Sequence, residues 1–204
     1  MHETISPLAL PGGICQRLFS TDLALGRALA AAVADALRSG LARRGCASLA
    51  VSGGRSPIPF LDALSAQTLD WSRVTVTLVD ERWVAVDSAD SNEALVRRHL
   101  LRGHAAVAHF VPLKTPAVSP EAGVAAALAL RPALPLPFDA VVLGMGEDGH
   151  IASLFPRAAG LAEALALLEE EVLDIDRALT DLAALVPRLA RVVELRYFAG
   201  LKEP

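Results

Sequence analysis

The sequence predicts an α/β fold in which helices flank a mostly parallel sheet. Short apolar runs of strand length alternate with segments whose apolar residues recur at helical spacing. This alternation is typical of βαβ units. Three of the apolar runs end directly in turns rich in glycine or charge. Because the carboxyl ends of parallel strands form the edge where ligands bind, the three turns predict one shared site.

Length and composition allow one domain with a substantial core. The chain has 204 residues, of which 53% are hydrophobic and 21% charged, with a formal net charge of −4. It starts without the basic and apolar regions of a signal peptide and contains no apolar run of membrane-spanning length, so we expect a cytoplasmic protein without a membrane partner. Cys15 and Cys46 are too few for a disulfide scaffold. The acidic balance argues against nonspecific nucleic-acid binding.

The first predicted element is a long helix. Thr21 or Asp22 can cap its start, and Gly45 ends it after about Arg44. The apolar spacing within it matches one face of a helix, which we expect to turn toward the core. That inner face is predicted to carry Leu23, Leu29, Val33, Ala36 and Leu37.

Two buried strands are predicted next, at Ala47 to Val51 and at the β-branched run Val74 to Val79. Pro57 stands between them where a helix can start, because a proline in the first turn gives up no needed hydrogen bond. The remaining predicted elements are a helix from Ser91 to about Leu101, a strand from His109 to Leu113, a helix from Glu121 to Leu130 and a strand from Phe138 to Leu143.

Two of the three turns have both a functional and an ordinary interpretation. In Ser52–Pro57, two glycines allow close approach of a ligand, and the N–H groups of the following helix suit a phosphate. A glycine turn between strand and helix is also common without any ligand. The charged turn Asp80–Trp83 is either part of a site or a solvated loop with a weak surface ion pair. Ser91 and Asn92 are expected to cap the next helix.

The third turn, Gly144–His150, carries the strongest functional signal. It places Glu147, Asp148 and His150 within four residues, among three glycines at the end of a strand. Histidine titrates near neutrality, so an imidazole positioned by a carboxylate can act as a general base. We expect no metal here, because no second histidine or cysteine stands at ligand spacing from His150.

Together the three turns resemble the 6-phosphogluconolactonases, within a larger group that includes the glucosamine-6-phosphate deaminases. The matching stretches are Ser-Gly-Gly-Arg-Ser-Pro at 52–57, Asp-Glu-Arg at 80–82 with Ser-Asn at 91–92, and Leu-Gly-Met-Gly-Glu-Asp-Gly-His-Ile-Ala-Ser-Leu-Phe-Pro at 143–156. The deaminase branch typically carries Asn-Gly-His and then Phe-Asn-Glu-Pro, so the sequence here favours the lactonase side. The resemblance covers residues 10 to about 165.

The resemblance implies a Rossmann-like fold and hydrolysis of 6-phospho-D-glucono-1,5-lactone to 6-phosphogluconate in the pentose phosphate pathway, with no cofactor. His150 would activate water, and Asp148 or Glu147 would orient the imidazole. Asp80 and Arg82 would position the sugar and the water or share in stabilising the phosphate and the oxyanion. We expect a monomer or weak homodimer whose partner is a small sugar-phosphate lactone. The residues expected to bind it are Gly53, Gly54, Arg55, Ser56, Arg82, Asn92, Gly144, Gly146 and Glu147.

The sequence departs from this family after about residue 165. Lactonases of the family carry a late loop like Gly-Glu-Glu-Lys, which has no counterpart here. Residues 176–201 resemble the start of DNA-binding region 4 of extracytoplasmic-function sigma factors, without the recognition helix that promoter binding needs. We therefore expect a C-terminally truncated lactonase-like domain at 1–165 and an acidic helical tail at 166–204, joined by fusion or frameshift. An ordinary amphipathic helical hairpin is the alternative.

Other functions stay open at this stage. An amino-sugar-phosphate deaminase or isomerase would share the turns, and the deaminase would release ammonia. A catalytically impaired sugar-phosphate-binding protein or helical interaction module would bind ligand without turnover. A DNA-binding regulator would retard DNA in a gel at low salt.

Overall fold

The computed structural model describes residues 17–162, which form a four-stranded sheet with the order β3-β2-β1-β4. Each strand pairs in parallel with its neighbours. This architecture confirms the predicted α/β, Rossmann-like class. The strands are β1 (Ala47–Val51), β2 (Val74–Leu78), β3 (His109–Val111) and β4 (Ala140–Val142).

Helices occupy the positions that the sequence predicts. Short 3₁₀ turns lead into β2 at Trp71–Arg73 and into β3 at Gly103–Val107. A third, Arg131–Ala133, follows the helix at Pro120–Ala129. Strands β3 and β4 are shorter than predicted, because pairing with β2 and β1 extends over only three residues of each. The helices are α1 (Asp22–Arg44), α2 (Ile58–Ser65), α3 (Asn92–His99) and α4 (Pro120–Ala129).

Helix α1 begins and ends as predicted, but the prediction that Leu23 lies on its inner face is wrong. The Thr21 side chain accepts a hydrogen bond from the Ala24 amide, and Gly45 ends the helix with a left-handed φ of 74°. Leu23 is 52% exposed. The buried face instead includes small residues such as Gly26, whose missing side chain makes room for the start of α2. Close helix packing therefore selects a face that side-chain hydrophobicity alone does not identify.

The hydrophobic core lies between one face of the sheet and helices α1, α2 and α3. Trp71 and Phe60 are its largest side chains, and both are at most 2% exposed. The Trp71 indole N–H donates to the Gln67 carbonyl oxygen at 2.9 Å, which satisfies the polar edge of the ring. The other core residues include Ala30, Val33, Leu37, Leu49, Val51, Leu61, Leu64, Val74, Val76, Leu78, Val96 and Leu100.

The carboxylate of Asp139 joins α1 to the starts of β1 and β4. It accepts from the Ser48 amide at 2.9 Å and pairs with the Arg44 guanidinium at 2.5 Å. The Asp139 side chain is only 2% exposed, and Arg43 approaches its second oxygen at 3.5 Å. This buried ion pair lies at the amino end of the strands, opposite the three turns.

Two expectations from the sequence concern residues beyond the part of the chain that the structure describes. The predicted domain boundary at residue 165 and the helical tail at 166–204 lie outside residues 17–162 and stay predictions. Among the described helices, none is both long enough and apolar enough to cross a membrane.

Candidate active site

The three turns meet at the carboxyl edge of the sheet, as predicted. Residue Val51 at the end of β1 is paired with Leu78 of β2 and with Val142 of β4. The chain segments that follow these three residues therefore leave the sheet side by side. Strand order, and not closeness in sequence, brings the turns together.

Ser52 ties the first turn to the third. Its hydroxyl donates to the Val142 carbonyl oxygen at 3.0 Å and accepts from the Gly144 amide at 3.0 Å. Ser52 is 7% exposed, so both bonds are largely shielded from water. The exit of the chain from β4 is thereby held against the exit from β1.

The glycine turn lies against Asn92, the first residue of α3. A side chain at Gly53 would overlap the Asn92 carboxamide, whereas Gly54 has a φ of +92° and open space where a side chain would stand. Arg55 and Ser56 are exposed beyond it. The two glycines thus serve different needs, since the first allows close packing and the second a left-handed backbone.

We predict that Gly53→Ala destabilises the protein by about 1–3 kcal/mol, because the added methyl group overpacks a buried contact. Asn92 is only 2% exposed and has little freedom to move away. Urea unfolding measures the change. Gly144→Ala is the matched control, since its methyl group would lie 3.9 Å from the Ser52 side chain, an ordinary contact. Equal midpoints for Gly53→Ala and wild type would contradict the prediction.

Asp80 connects the second turn to the other two. The Asn92 side-chain amide donates to the Asp80 carbonyl oxygen at 3.0 Å and approaches the carboxylate at 3.4 Å. The other carboxylate oxygen of Asp80 accepts from the Ser153 hydroxyl at 3.1 Å. Asp80 is thus held by α3 on one side and by the segment after the third turn on the other.

Arg82 lies exposed beside this network. Its guanidinium donates to the Asp90 carbonyl oxygen at 2.8 Å, so a backbone oxygen and not a carboxylate holds it. The neighbouring Trp83 donates from its indole nitrogen to the Ala117 carbonyl oxygen at 3.1 Å and carries the Lys114 ammonium 5.2 Å from its ring centre. These contacts hold the backbone and side chains of the charged turn in place, and Arg82 stays exposed to solvent within it.

In the third turn, Asp148 and not Glu147 holds His150. The imidazole Nδ1 lies 2.5 Å from Asp148 Oδ1, and the same oxygen accepts from the His150 amide at 3.3 Å. Glu147 is exposed. The hydrogen bond with the His150 ring, followed by the bond with its backbone N–H, holds the pKa of Asp148 below its usual range. The carboxylate therefore stays charged at neutral pH beside the imidazole.

Two further residues fix the imidazole from its sides. Phe155 stacks on the His150 ring with a centroid separation of 4.6 Å and an interplanar angle of 29°. Gly146 lies close on another side, where any side chain would overlap the ring, and its amide donates to the His150 carbonyl oxygen at 2.8 Å. The side chain of His150 is 34% exposed, which leaves part of the ring accessible to a ligand.

We predict that His150→Ala raises the pKa of Asp148 toward its ordinary value, because the variant removes the hydrogen bond that lowers it. Since folding lowers this pKa, the pair stabilises the fold above the pKa of unfolded aspartate. That stabilisation is lost as the pH falls through the lowered value. Carboxyl ¹³C NMR titration measures the shift. Glu121, whose pKa is lowered by the Ser119 side chain, is the internal control and should not change. An unchanged Asp148 titration would contradict the prediction.

Sequence reasoning missed three residues that hold the site together. Ser153 and Phe155 stand within the stretch that carries the family resemblance, but their partners are not predictable from local spacing. Glu81 is part of the charged turn, yet its carboxylate binds the start of α3.

Within residues 17–162, no group of three or more His, Cys, Asp or Glu side chains is arranged to hold a metal ion.

Fold and site together define an α/β protein with a carboxylate-held histidine and a glycine turn at the carboxyl edge of its sheet. The family described as glucosamine-6-phosphate isomerases/6-phosphogluconolactonase matches residues 20–175. The chain belongs to this family.

Individual relatives agree with this assignment. A 6-phosphogluconolactonase of Pseudomonas aeruginosa is 56% identical over 157 residues, which cover 77% of this chain and 66% of the relative. That of Pseudomonas putida is 47% identical, with 80% and 67% covered. The crystal structure of a 6-phosphogluconolactonase from Shewanella baltica superposes with a TM-score of 0.70 at 47% identity and covers 72% of this chain and 63% of that one. The matched region thus spans about two thirds of each relative's length.

Proposed function

We propose that the protein hydrolyses 6-phospho-D-glucono-1,5-lactone to 6-phosphogluconate with His150 as the general base. The names of the relatives support this substrate. The observation that carries the mechanism is the pairing of Nδ1 of His150 with the charged carboxylate of Asp148. With its Nδ1 proton donated to that carboxylate, the ring has its lone pair on Nε2, where it can accept a proton from water.

In the proposed reaction, water attacks the lactone carbonyl carbon as His150 Nε2 takes one of its protons. The imidazolium that forms is stabilised by the Asp148 carboxylate. The bond between the carbonyl carbon and the ring oxygen then breaks, and His150 returns the proton to the departing oxygen. The products are a hydroxyl group and a carboxylic acid, which releases its proton to solvent. His150 is thereby ready for another cycle.

The substrate would lie across the three turns. The amides of Gly53, Gly54 and Ser56, together with the start of α2, suit the phosphate, because these N–H groups and the helix dipole favour an anion. Arg55 in the same turn and Arg82 in the charged turn would supply positive charge. Asp80 would orient the sugar and the attacking water, and the buried Asn92 would serve binding by holding Asp80 in place. The backbone at Gly146, which lies beside the imidazole, would border the lactone ring together with that at Gly144 and Glu147.

Two substrate comparisons test the proposed function. We expect the protein to accelerate hydrolysis of 6-phosphogluconolactone far more than that of unphosphorylated gluconolactone, because the phosphate contacts contribute to binding. We also expect no ammonia from glucosamine 6-phosphate. ³¹P NMR follows 6-phosphogluconate formation, and an ammonia assay follows the other reaction. Ammonia release would overturn the proposal in favour of a deaminase, and equal rates for both lactones would overturn the phosphate site.

The proposal also includes the setting of the reaction. The protein would act on this small substrate in the cytoplasm, as a monomer or weak homodimer, without nucleic acid or a membrane as a partner. Sedimentation velocity of the purified protein tests the assembly state.

A further inference from the structure

The carboxylate of Glu81 accepts hydrogen bonds from two separate segments of the chain. Oε1 accepts from the amides of Arg82 at 2.8 Å and Asn92 at 2.7 Å. Oε2 accepts from the Glu93 amide at 2.8 Å and from the Ser91 hydroxyl at 3.2 Å. One side chain of the charged turn therefore holds both its own next residue and the start of α3, eleven residues further along the chain.

The donors from α3 are amides that the helix itself leaves unpaired. Asn92 and Glu93 lie in the first turn, where backbone N–H groups have no partner within the helix. A negative charge is favoured at this end of a helix. Ser91 already caps the Ala94 amide at 3.1 Å, so Glu81 adds a second cap that comes from a distant segment. Ser91, Asn92 and Glu93 are each at most 5% exposed, so water cannot readily replace the hydrogen bonds that they donate to Glu81.

We infer that Glu81 is a positioning residue that holds Arg82 and, through the buried Asn92, the carboxylate of Asp80 in place for substrate. Its carboxylate accepts from the backbone of Arg82 and of Asn92, and the Asn92 side chain in turn contacts Asp80 and lies against the glycine turn. The glycine turn and the charged turn are thus connected to the helix start that Glu81 fixes, and Asp80 extends the connection to Ser153, just after the third turn. Glu81 does this without contact to substrate. The inference rests on the proposed function, because it assigns Arg82 and Asp80 to substrate.

The chemistry requires both carboxylate oxygens. In Glu81→Gln the side chain keeps its size, but an NH₂ group replaces one acceptor. Whichever way the amide turns, at least one backbone N–H, that of Asn92 or that of Glu93, then faces an NH₂ group and loses its bond. The Ser91 hydroxyl can rotate to accept instead, but a backbone N–H cannot. The substitution therefore loosens α3 from the charged turn without removing any group proposed to touch substrate.

Glu121→Gln is the matched control. Glu121 also lies in the first turn of a helix, α4, and its carboxyl interacts with the Ser119 side chain. It is exposed and is not connected to the three turns by any bond described above. Both variants remove one negative charge from a helix start, so a difference between them reports on the connection to the site.

The experiment combines amide hydrogen exchange with ligand binding and kinetics. In Glu81→Gln we expect faster exchange at Asn92 or at Glu93, whichever amide faces the NH₂ group. We also expect about tenfold weaker binding of 6-phosphogluconate and a KM raised by a similar factor, because displaced binding groups cost affinity. The pH dependence of kcat should keep its wild-type form, since His150 and Asp148 are unchanged. Glu121→Gln should match the wild type in every measurement. If Glu81→Gln fails to fold, Glu81→Asp, which keeps both acceptors at shorter reach, is judged by the same measurements.

Faster exchange with wild-type affinity and KM would overturn the inference, because Glu81 would then be a structural cap only. Unchanged exchange would overturn it as well. A wild-type protein that binds 6-phosphogluconate but hydrolyses no lactone would overturn the proposed function alone, and the binding and exchange data would still decide the role of Glu81. A wild type that neither binds nor hydrolyses would overturn both.

Discussion

His150→Ala is expected to reduce the hydrolysis of 6-phosphogluconolactone to the spontaneous rate and to leave the fold intact. General base catalysis typically contributes about 10²–10⁴-fold, and the lactone already opens slowly in water without help. The imidazole is 34% exposed and lies in a turn at the edge of the sheet, so its removal opens no cavity in the core. Activity should therefore fall without a matching loss of stability.

Initial rates at several protein concentrations, with circular dichroism of the same samples, measure this effect. His104→Ala is the control, because His104 is exposed in the 3₁₀ turn before β3. Strand β3 lies on the other side of the sheet from β4, the strand that His150 follows. The control variant should hydrolyse lactone as the wild type does. Wild-type turnover by His150→Ala would remove the general base from the proposed mechanism.

Asp139→Asn is expected to lower the free energy of unfolding by about 3 kcal/mol, because it breaks a buried ion pair by neutralising one partner. The Arg44 side chain is only 26% exposed. Its positive charge would therefore lose the carboxylate that neutralises it and would not gain full access to water in exchange. The carboxylate also accepts the Ser48 amide at the start of β1. The substitution therefore weakens the point where α1, β1 and β4 join.

Urea unfolding against Asp35→Asn tests this second effect. Asp35 forms an ion pair with Arg38 on the surface of α1, where the two side chains are 76% and 45% exposed. Because exposed pairs contribute about 0–1 kcal/mol, this control should change stability little. Similar losses in the two variants would contradict a special role for the buried pair. The distance of Asp139 from the three turns also predicts that folded Asp139→Asn retains wild-type substrate affinity.

The secondary structure could be predicted well where its signals are local. Thr21, Gly45 and Ser91 mark helix ends through their own chemistry, since two supply capping oxygens and one adopts a left-handed φ. Leu23 shows where this approach fails. The buried face of α1 is decided by how closely α2 approaches at Gly26, and that contact depends on tertiary packing.

The site could be predicted at the level of turns but not of contacts. Parallel strands place their carboxyl ends at one edge, so three loaded turns predict one site whatever their separation in sequence. The bonds from Ser153 to Asp80 and from Asn92 to Glu81 join residues 73 and 11 positions apart. No spacing rule connects such pairs, because the strand order and the start of α3 bring them together. The choice of Asp148 over Glu147 as the partner of His150 likewise depends on the backbone of the turn.

The most direct test of the proposed lactonase site is the initial rate of hydrolysis of freshly generated 6-phosphogluconolactone by the full chain. We predict a rate above the spontaneous background that rises in proportion to protein concentration. A rate equal to the background, from protein whose circular dichroism shows a folded α/β structure, would contradict the account.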